Sequence, residues 1–189
     1  MKYVVFKTRW GWFGLLAGEQ GIVRTSLPVS SRTAVLAILL KGCETHELDK
    51  LLYKPLQDRI VAYFEGKIED CESFKDIFLG DLPPFTLSVL TACRSIPYGR
   101  TSTYSALAAA VGRPKAVRAV ANALARNPVP LIVPCHRIVR SDGQIGGFSA
   151  PGGPRTKMRL NSLEKCVYTS KTGRECLAAG HRVTLAHTA

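Results

Sequence analysis

Acidic residues are scarce in the second half of this 189-residue chain. After residue 90 only Asp142, Glu164 and Glu175 stand against 15 Lys and Arg, whereas residues 1–90 carry 11 of each sign. The whole net charge of +12 therefore lies in the C-terminal half and points that half at a polyanion. A solvated basic surface would show the same excess, so charge alone leaves both readings open. Long apolar runs are missing too. Stretches such as Ala34–Leu40 and Leu131–Val133 are far too short to span a bilayer, and no membrane partner is expected. Met1–Trp10 alternates apolar and basic residues without an uninterrupted apolar region. It reads as folded structure, not a signal peptide, and the expected compartment is intracellular. The six cysteines (Cys43, Cys71, Cys93, Cys135, Cys166, Cys176) include no C-x-x-C pair, which argues against a disulfide framework or zinc ribbon. A scattered ligand set of Cys43, His46 and Cys71 is conceivable, but ordinary reduced thiols account for them, and no metal is expected.

What is present can bury a core, since 46% of residues are apolar. Tyr3–Lys7, Trp10–Leu16 and Gly21–Ser26 read as three short strands, broken at Gly11 and at Gly18–Gly21. Ser30 or Ser31 looks like the N-cap of a helix over Ala34–Leu40, and a second amphipathic helix is expected over Pro55–Tyr63. The result is a small α/β (α+β) domain over 1–80 without a catalytic constellation, its acids Glu69, Asp70, Glu72 and Asp76 reading as a solvated loop. Gly80-Asp81-Leu82-Pro83-Pro84 marks the boundary. A second domain over 84–165 opens with a helix over Phe85–Cys93 that ends near Pro97-Tyr98-Gly99. Thr103 caps a helix over Tyr104–Val111, Gly112 breaks it, and Pro114 opens the next at a first-turn position, over Lys115–Arg126. Helix, glycine turn, helix is the spacing of a helix-turn-helix, which also occurs in proteins that never touch DNA. Small residues at Ala116, Ala119, Ala121 and Ala123 let the second helix approach a partner closely, and Arg118 and Arg126 add charge.

Asn127-Pro128-Val129-Pro130-Leu131-Ile132-Val133-Pro134-Cys135-His136-Arg137 carries the chemistry. Three prolines fix φ and remove donors, so the segment is expected to be stiff and largely extended. It holds a thiol beside groups that accept protons or carry positive charge. A free thiol, with a pKa of about 8.5, needs such help to act as a nucleophile near neutral pH. In an extended chain neighbouring side chains face opposite ways, so a water would link Cys135 to His136. A buried structural cysteine at the end of an apolar strand fits the same residues.

Pro134-Cys135-His136-Arg137-Ile138-Val139, with Asn127-Pro128 before it and Gly146–Gly153 after it, resembles the O6-alkylguanine-DNA alkyltransferases. The likeness runs from about Phe85 to Glu164 through Pro97-Tyr98-Gly99, Thr103-Tyr104, Ala116–Val120 and Lys157. It implies a ribonuclease-H-like N-terminal domain, then a winged-helix-like domain that binds DNA and holds the active site. It further implies suicidal, single-turnover transfer of an alkyl group from O6-alkylguanine (and O4-alkylthymine) in double-stranded DNA to Cys135, without a cofactor. The protein would act as a monomer in the cytoplasm, or in the nucleus of a eukaryote.

The resemblance makes His136 the general base through a water and Glu164 the carboxylate that orients it. It makes Tyr104 a donor toward guanine N3, which the poor leaving group requires. Arg118 would fill the space of the extruded nucleotide, since a stacked base cannot present its O6 substituent to a thiol. Ala119 and the small residues around it would seat that helix in the minor groove, with Arg126 adding charge. Thr103 would contact phosphate, Asn127 would brace the recognition helix against the active-site strand, and the carbonyls of Cys135 and Ile138 would read the guanine amino group. The Gln144–Pro154 loop, after a Ser141-Asp142-Gly143 turn, would close over the base with Ser149 near O6, and Lys157 would tether the strand carrying Cys135. Phe148 stands where many relatives carry tyrosine, and the loop Ser149–Gly153 is longer than in some. Pro130 and Gly146 lean toward a pocket with room for bulky groups. Residues 166–189, with Lys171, Arg174, His181 and Arg182, fit a basic arm on DNA or a mobile tail, and the tail is the reading taken.

Two other readings compete. A damage sensor that flips the base without repairing it would lack an acceptor thiol, so Cys135 argues for the enzyme. A plain helix-turn-helix regulator would leave Tyr104 and the Pro-Cys-His-Arg run unexplained.

Overall fold

A computed structural model describes residues 1–67, 77–80 and 82–164, and the backbone of 167–169 and 175–177. Strands β1 (Lys2–Thr8), β2 (Gly11–Gly18) and β3 (Gly21–Val29) form an antiparallel meander, and the two-residue β4 (Glu47–Leu48) joins β1 in parallel. The sheet order is β3-β2-β1-β4. Each of β1 to β3 ends one to three residues beyond its sequence-based limit, while β2 begins at Gly11, one residue later than expected.

Alternation along β2 covers both faces of the sheet. Phe13 and Leu15 enter the main core with Val4 and the helix α2 (Lys54–Phe64), while Leu16 joins Val5 on the other face under α1 (Arg32–Leu39). Gly14 permits that second packing. A Cβ there would stand 2.6 Å from Val35 and closer still to Leu39. Ser31 caps α1 by accepting from the Ala34 N–H.

The second half is helical. α3 (Pro84–Arg94), α4 (Tyr104–Ala110) and α5 (Val117–Ala125) pack on one another, and the two-residue strands β5 (Ser102–Thr103) and β6 (Ile138–Val139) pair in parallel. Thr103 caps α4 through the Ala106 N–H at 3.0 Å, as its position suggested. Pro114 does not open α5. Arg113 O instead accepts from Ala116 N at 2.8 Å, which makes 113–116 a turn with proline at its second position, and the helix begins at Val117.

The Gly-rich loop also ends earlier than its composition implied. Gly153 and Pro154 already belong to α6 (Gly153–Leu163), because proline is tolerated in a first helical turn. The segment read as a tail contains β7 (Val167–Thr169) paired antiparallel with β8 (Glu175–Leu177). The acids Glu69, Asp70, Glu72 and Asp76, the boundary residue Asp81, and Cys71, Cys166, Lys171, Arg174, His181 and Arg182 lie outside the described residues. One cluster of buried residues runs from Val4 and Phe13 through Tyr63 and Val89 to Cys135 and Leu160, so the two halves share a core. Among the described residues no helix is long and apolar enough to cross a membrane.

Candidate active site

The proline-rich segment is folded back on itself, not extended. Leu131 takes a φ of 81°, a left-handed value that reverses the chain. Val133 N then donates to Val129 O at 3.0 Å, Cys135 N to Val133 O at 2.8 Å, and Cys135–Arg137 close a 3-10 turn. Prolines remove donors but leave carbonyls. Thr25 of β3 takes two of these, its N–H donating to Pro128 O at 2.9 Å and its hydroxyl to Pro130 O at 2.7 Å. Asn127 fastens the inside of the loop, accepting from Val129 N and donating to Val133 O at 2.9 Å and to Cys135 Sγ at 3.2 Å.

Cys135 is 8% exposed and lines a cavity of about 470 Å³ with Tyr104, Leu124, Ala125, Arg140, Gly146, Phe148 and Ser149. Burial pushes the thiol up, while the Asn127 donor, the Lys157 ammonium and nearby backbone N–H groups pull against that rise. A second opening of about 700 Å³ reaches Cys135 from the β3 side, lined by Thr25, Arg126, Asn127, Pro130, Phe148 and Ser149 among others.

The His136 imidazole has no hydrogen bond to Cys135 Sγ. Its Nε2 lies 2.8 Å from Glu164 Oε1, and both side chains are buried. Glu164 caps α6 and also accepts from Tyr63 Oη at 2.6 Å, Arg137 Nε at 2.9 Å, Arg137 Nη2 at 3.1 Å and Gly99 N at 3.4 Å. Burial works to raise Glu164, but His136 and the Arg137 guanidinium outweigh it and hold the carboxyl well below its usual range. An ionised carboxylate only accepts, so Nε2 carries the imidazole proton and Nδ1 is the basic nitrogen. Burial lowers His136, keeping it neutral, with the Arg137 and Lys157 charges adding to that effect against Glu164.

Lys157 is fully buried on α6 and donates at 3.3 Å to Tyr104 Oη and to Gly147 O. Its ammonium also sits 5.4 Å from the Tyr104 ring centre. It therefore ties Tyr104 to the loop, and no bond joins it to the segment carrying Cys135, contrary to the tether expected. Burial pulls it down to about 8. Burial and the two nearby thiols raise Tyr104. Gly146, at φ +71°, leaves no room to spare, since a Cβ there would stand 3.2 Å from the Tyr104 ring and 3.3 Å from its hydroxyl.

Residues 84–166 match the family described as 6-O-methylguanine DNA methyltransferase, DNA binding domain. A methylated-DNA–protein-cysteine methyltransferase from Methanothermobacter thermautotrophicus is 39% identical over 157 residues, covering 80% of this chain and 78% of that protein. The Haemophilus influenzae protein of the same name is 38% identical over 128 residues, 67% of this chain and 69% of that one. The chain belongs to the methylated-DNA–protein-cysteine methyltransferase family. Its mixed α/β fold is shared with the crystal structure of Mycobacterium tuberculosis OGT in complex with DNA, at a TM-score of 0.71 and 28% identity over 87% of this chain and 93% of that one.

Within this methyltransferase fold the other sequence-singled residues spread over two places. Arg118 and Ala119 lie on the exposed face of α5, away from the thiol, beside Val117, which lines a shallow depression with Tyr104 and Arg140. Thr103 spends its hydroxyl on the α4 cap and on Ser105 at 2.9 Å. Ser149 donates to Ala125 O at 2.8 Å, and Ile138 is buried beside Ser102. The Cys135 carbonyl already accepts from the Ile138 N–H. Sequence reasoning passed over Tyr63 and Thr25, which give no local signal, and it marked Arg137 only as a cation beside the thiol, without its bonds to Glu164.

Proposed function

We propose that this methyltransferase repairs DNA directly, moving an alkyl group from O6 of guanine in double-stranded DNA onto Cys135 in a single turnover. The observation that carries this is Cys135 itself, a thiol at the wall of a base-sized cavity with Asn127 on its sulfur and Tyr104 across the opening. Cys93 is fully buried and Cys43 lies at the surface near Met1, so neither offers such a setting.

The thiol proton leaves through water to His136 Nδ1. The sulfur attacks the alkyl carbon, a C–S bond forms, the C–O6 bond breaks, and its electron pair stays on the guanine. Tyr104 donates toward N3 as that charge develops, with Lys157 behind it supplying positive potential. Glu164 orients His136 without taking its proton. The product is a thioether. Arg118, Thr103, Ala119 and Arg126 hold the duplex, and Arg118 fills the gap left by the flipped nucleotide. The loop through Phe148, Ser149 and Gly146 closes over the base. Pro130, on the second opening, faces the outer part of larger alkyl groups.

The helix-turn-helix of α4 and α5, flanked in the chain by the paired strands β5 and β6, supports a winged-helix-like domain over 84–165. The β3-β2-β1-β4 order supports a ribonuclease-H-like domain over 1–80. We take the chain to act as a monomer in the compartment that holds the DNA.

Intact-mass measurement after mixing with an O6-methylguanine duplex tests this reading. The protein should gain one methyl on the Cys135 peptide, and Cys135→Ser should gain none. A folded, DNA-binding protein that gains nothing would refute it and favour a damage sensor.

A further inference from the structure

We propose that the Tyr63 hydroxyl is a positioning group for alkyl transfer, lent by the N-terminal domain, that sets how strongly Glu164 draws on His136. The inference rests on the reading of His136 as the base. Its basis is one oxygen. Glu164 Oε1 receives Tyr63 Oη at 2.6 Å, His136 Nε2 at 2.8 Å and Arg137 Nη2 at 3.1 Å. A carboxylate oxygen offers about two lone pairs, so three donors compete and each weakens the hold of the others. Tyr63 is the shortest of the three and is 1% exposed, so water does not dilute it. The edge of the Tyr98 ring contact at 6.1 Å and the T-shaped contact with Phe64 at 5.2 Å lock its ring.

Among the described residues, Tyr63 from α2, Gly99 from the loop after α3 and Arg137 from the turn bond Glu164, Arg137 and Lys157 from α6 bear on His136, and Cys93 from α3 and Tyr98 flank Arg137. Arg137 neutralises the carboxylate whatever the pH. Arg137 is charged, Gly99 donates from the backbone and His136 is the base itself, so Tyr63 is the neutral side chain whose hydroxyl can be removed without leaving a buried charge unpaired. Without its hydroxyl, Oε1 turns more fully to His136 Nε2, the imidazolium is better stabilised, and the base becomes stronger but is protonated at higher pH.

The test is the pH–rate profile of single-turnover transfer to the full-length protein, with the His136 ring followed by NMR. In Tyr63→Phe the acid limb and the His136 titration should move up together by about half to one pH unit, a roughly 3- to 10-fold change in proton affinity. Site-specific 3,5-difluorotyrosine at position 63 has nearly the same shape and donates more strongly, and should move both down. It also keeps the question answerable if Tyr63→Phe fails to fold. A uniform rate loss with an unmoved limb, in either variant that folds, would overturn the inference while leaving His136 as the base. A wild-type limb that does not coincide with the His136 titration would overturn both.

Discussion

Replacing Lys157 with methionine should make the folded chain more stable and slow its chemistry. The ammonium is fully buried, and burial brings it from 10.5 down to about 8. At about 1.4 kcal/mol for each pH unit, the fold gives up about 3 kcal/mol to keep it charged at pH 7. Methionine matches its length and removes the charge. The loss is the pair of long bonds, 3.3 Å each, to Tyr104 Oη and Gly147 O, together worth about 1–2 kcal/mol. The net gain is about 1–2 kcal/mol at pH 7. Its sign with pH follows from the depressed value. Below pH 8 the folded state carries the full penalty, and between about 8 and 10.5 it sheds the proton before the unfolded chain does, so the penalty fades. Urea unfolding of both proteins at pH 7 and pH 10 should show the advantage of Lys157→Met gone at the higher pH, where the lost bonds leave wild type equally or slightly more stable. Single-turnover transfer should fall at least about tenfold, because the cation that favours the thiolate and polarises Tyr104 is gone. A variant less stable than wild type at pH 7, or an advantage indifferent to pH, would refute the reasoning.

Gly146→Ala places a methyl 3.2 Å from the Tyr104 ring on a backbone at φ +71°, and should cost about 1–2 kcal/mol in thermal or urea unfolding and displace the donor hydroxyl. A transfer rate within twofold of wild type would show that Tyr104 has room to move. His136 and Glu164 both titrate lower when folded, so stability is full above the unfolded values of 6.5 and 4.5 and falls as pH drops through each. His136→Asn should remove the upper step from a stability–pH curve and keep the lower one; an upper step that survives assigns it to another group.

The N-terminal strands and α1 were legible because each is written locally, in alternation, glycines and the Ser31 cap. So was the thiol's importance, since Cys135 stands in a motif of adjacent residues. Its geometry was not. The prolines forbid helix but do not demand extension, and the reversal at Leu131 depends on Thr25 of β3, over a hundred residues away, taking the free carbonyls. Pro114 misled in the same way, because proline suits the second position of a turn as well as a first helical turn. Glu164 was found by likeness alone. Nothing near it in sequence reveals that Tyr63, 101 residues earlier, shares its oxygen. That pairing exists only once both halves have packed on a common core.

The Glu164 hub also has an order of assembly written into it. Ribosomes deliver a chain from its N-terminus, and domains fold as they emerge. Tyr63 is made early and waits; Cys135, His136 and Arg137 follow; the carboxylate that ties them together is among the last of the described residues to appear. A nascent chain therefore carries its thiol for almost thirty residues before the group that organises its neighbours has been synthesised. Arg137 spends that interval without its principal counter-ion. Closing the hub is a late, long-range step, and it couples the competence of the thiol to completion of the fold.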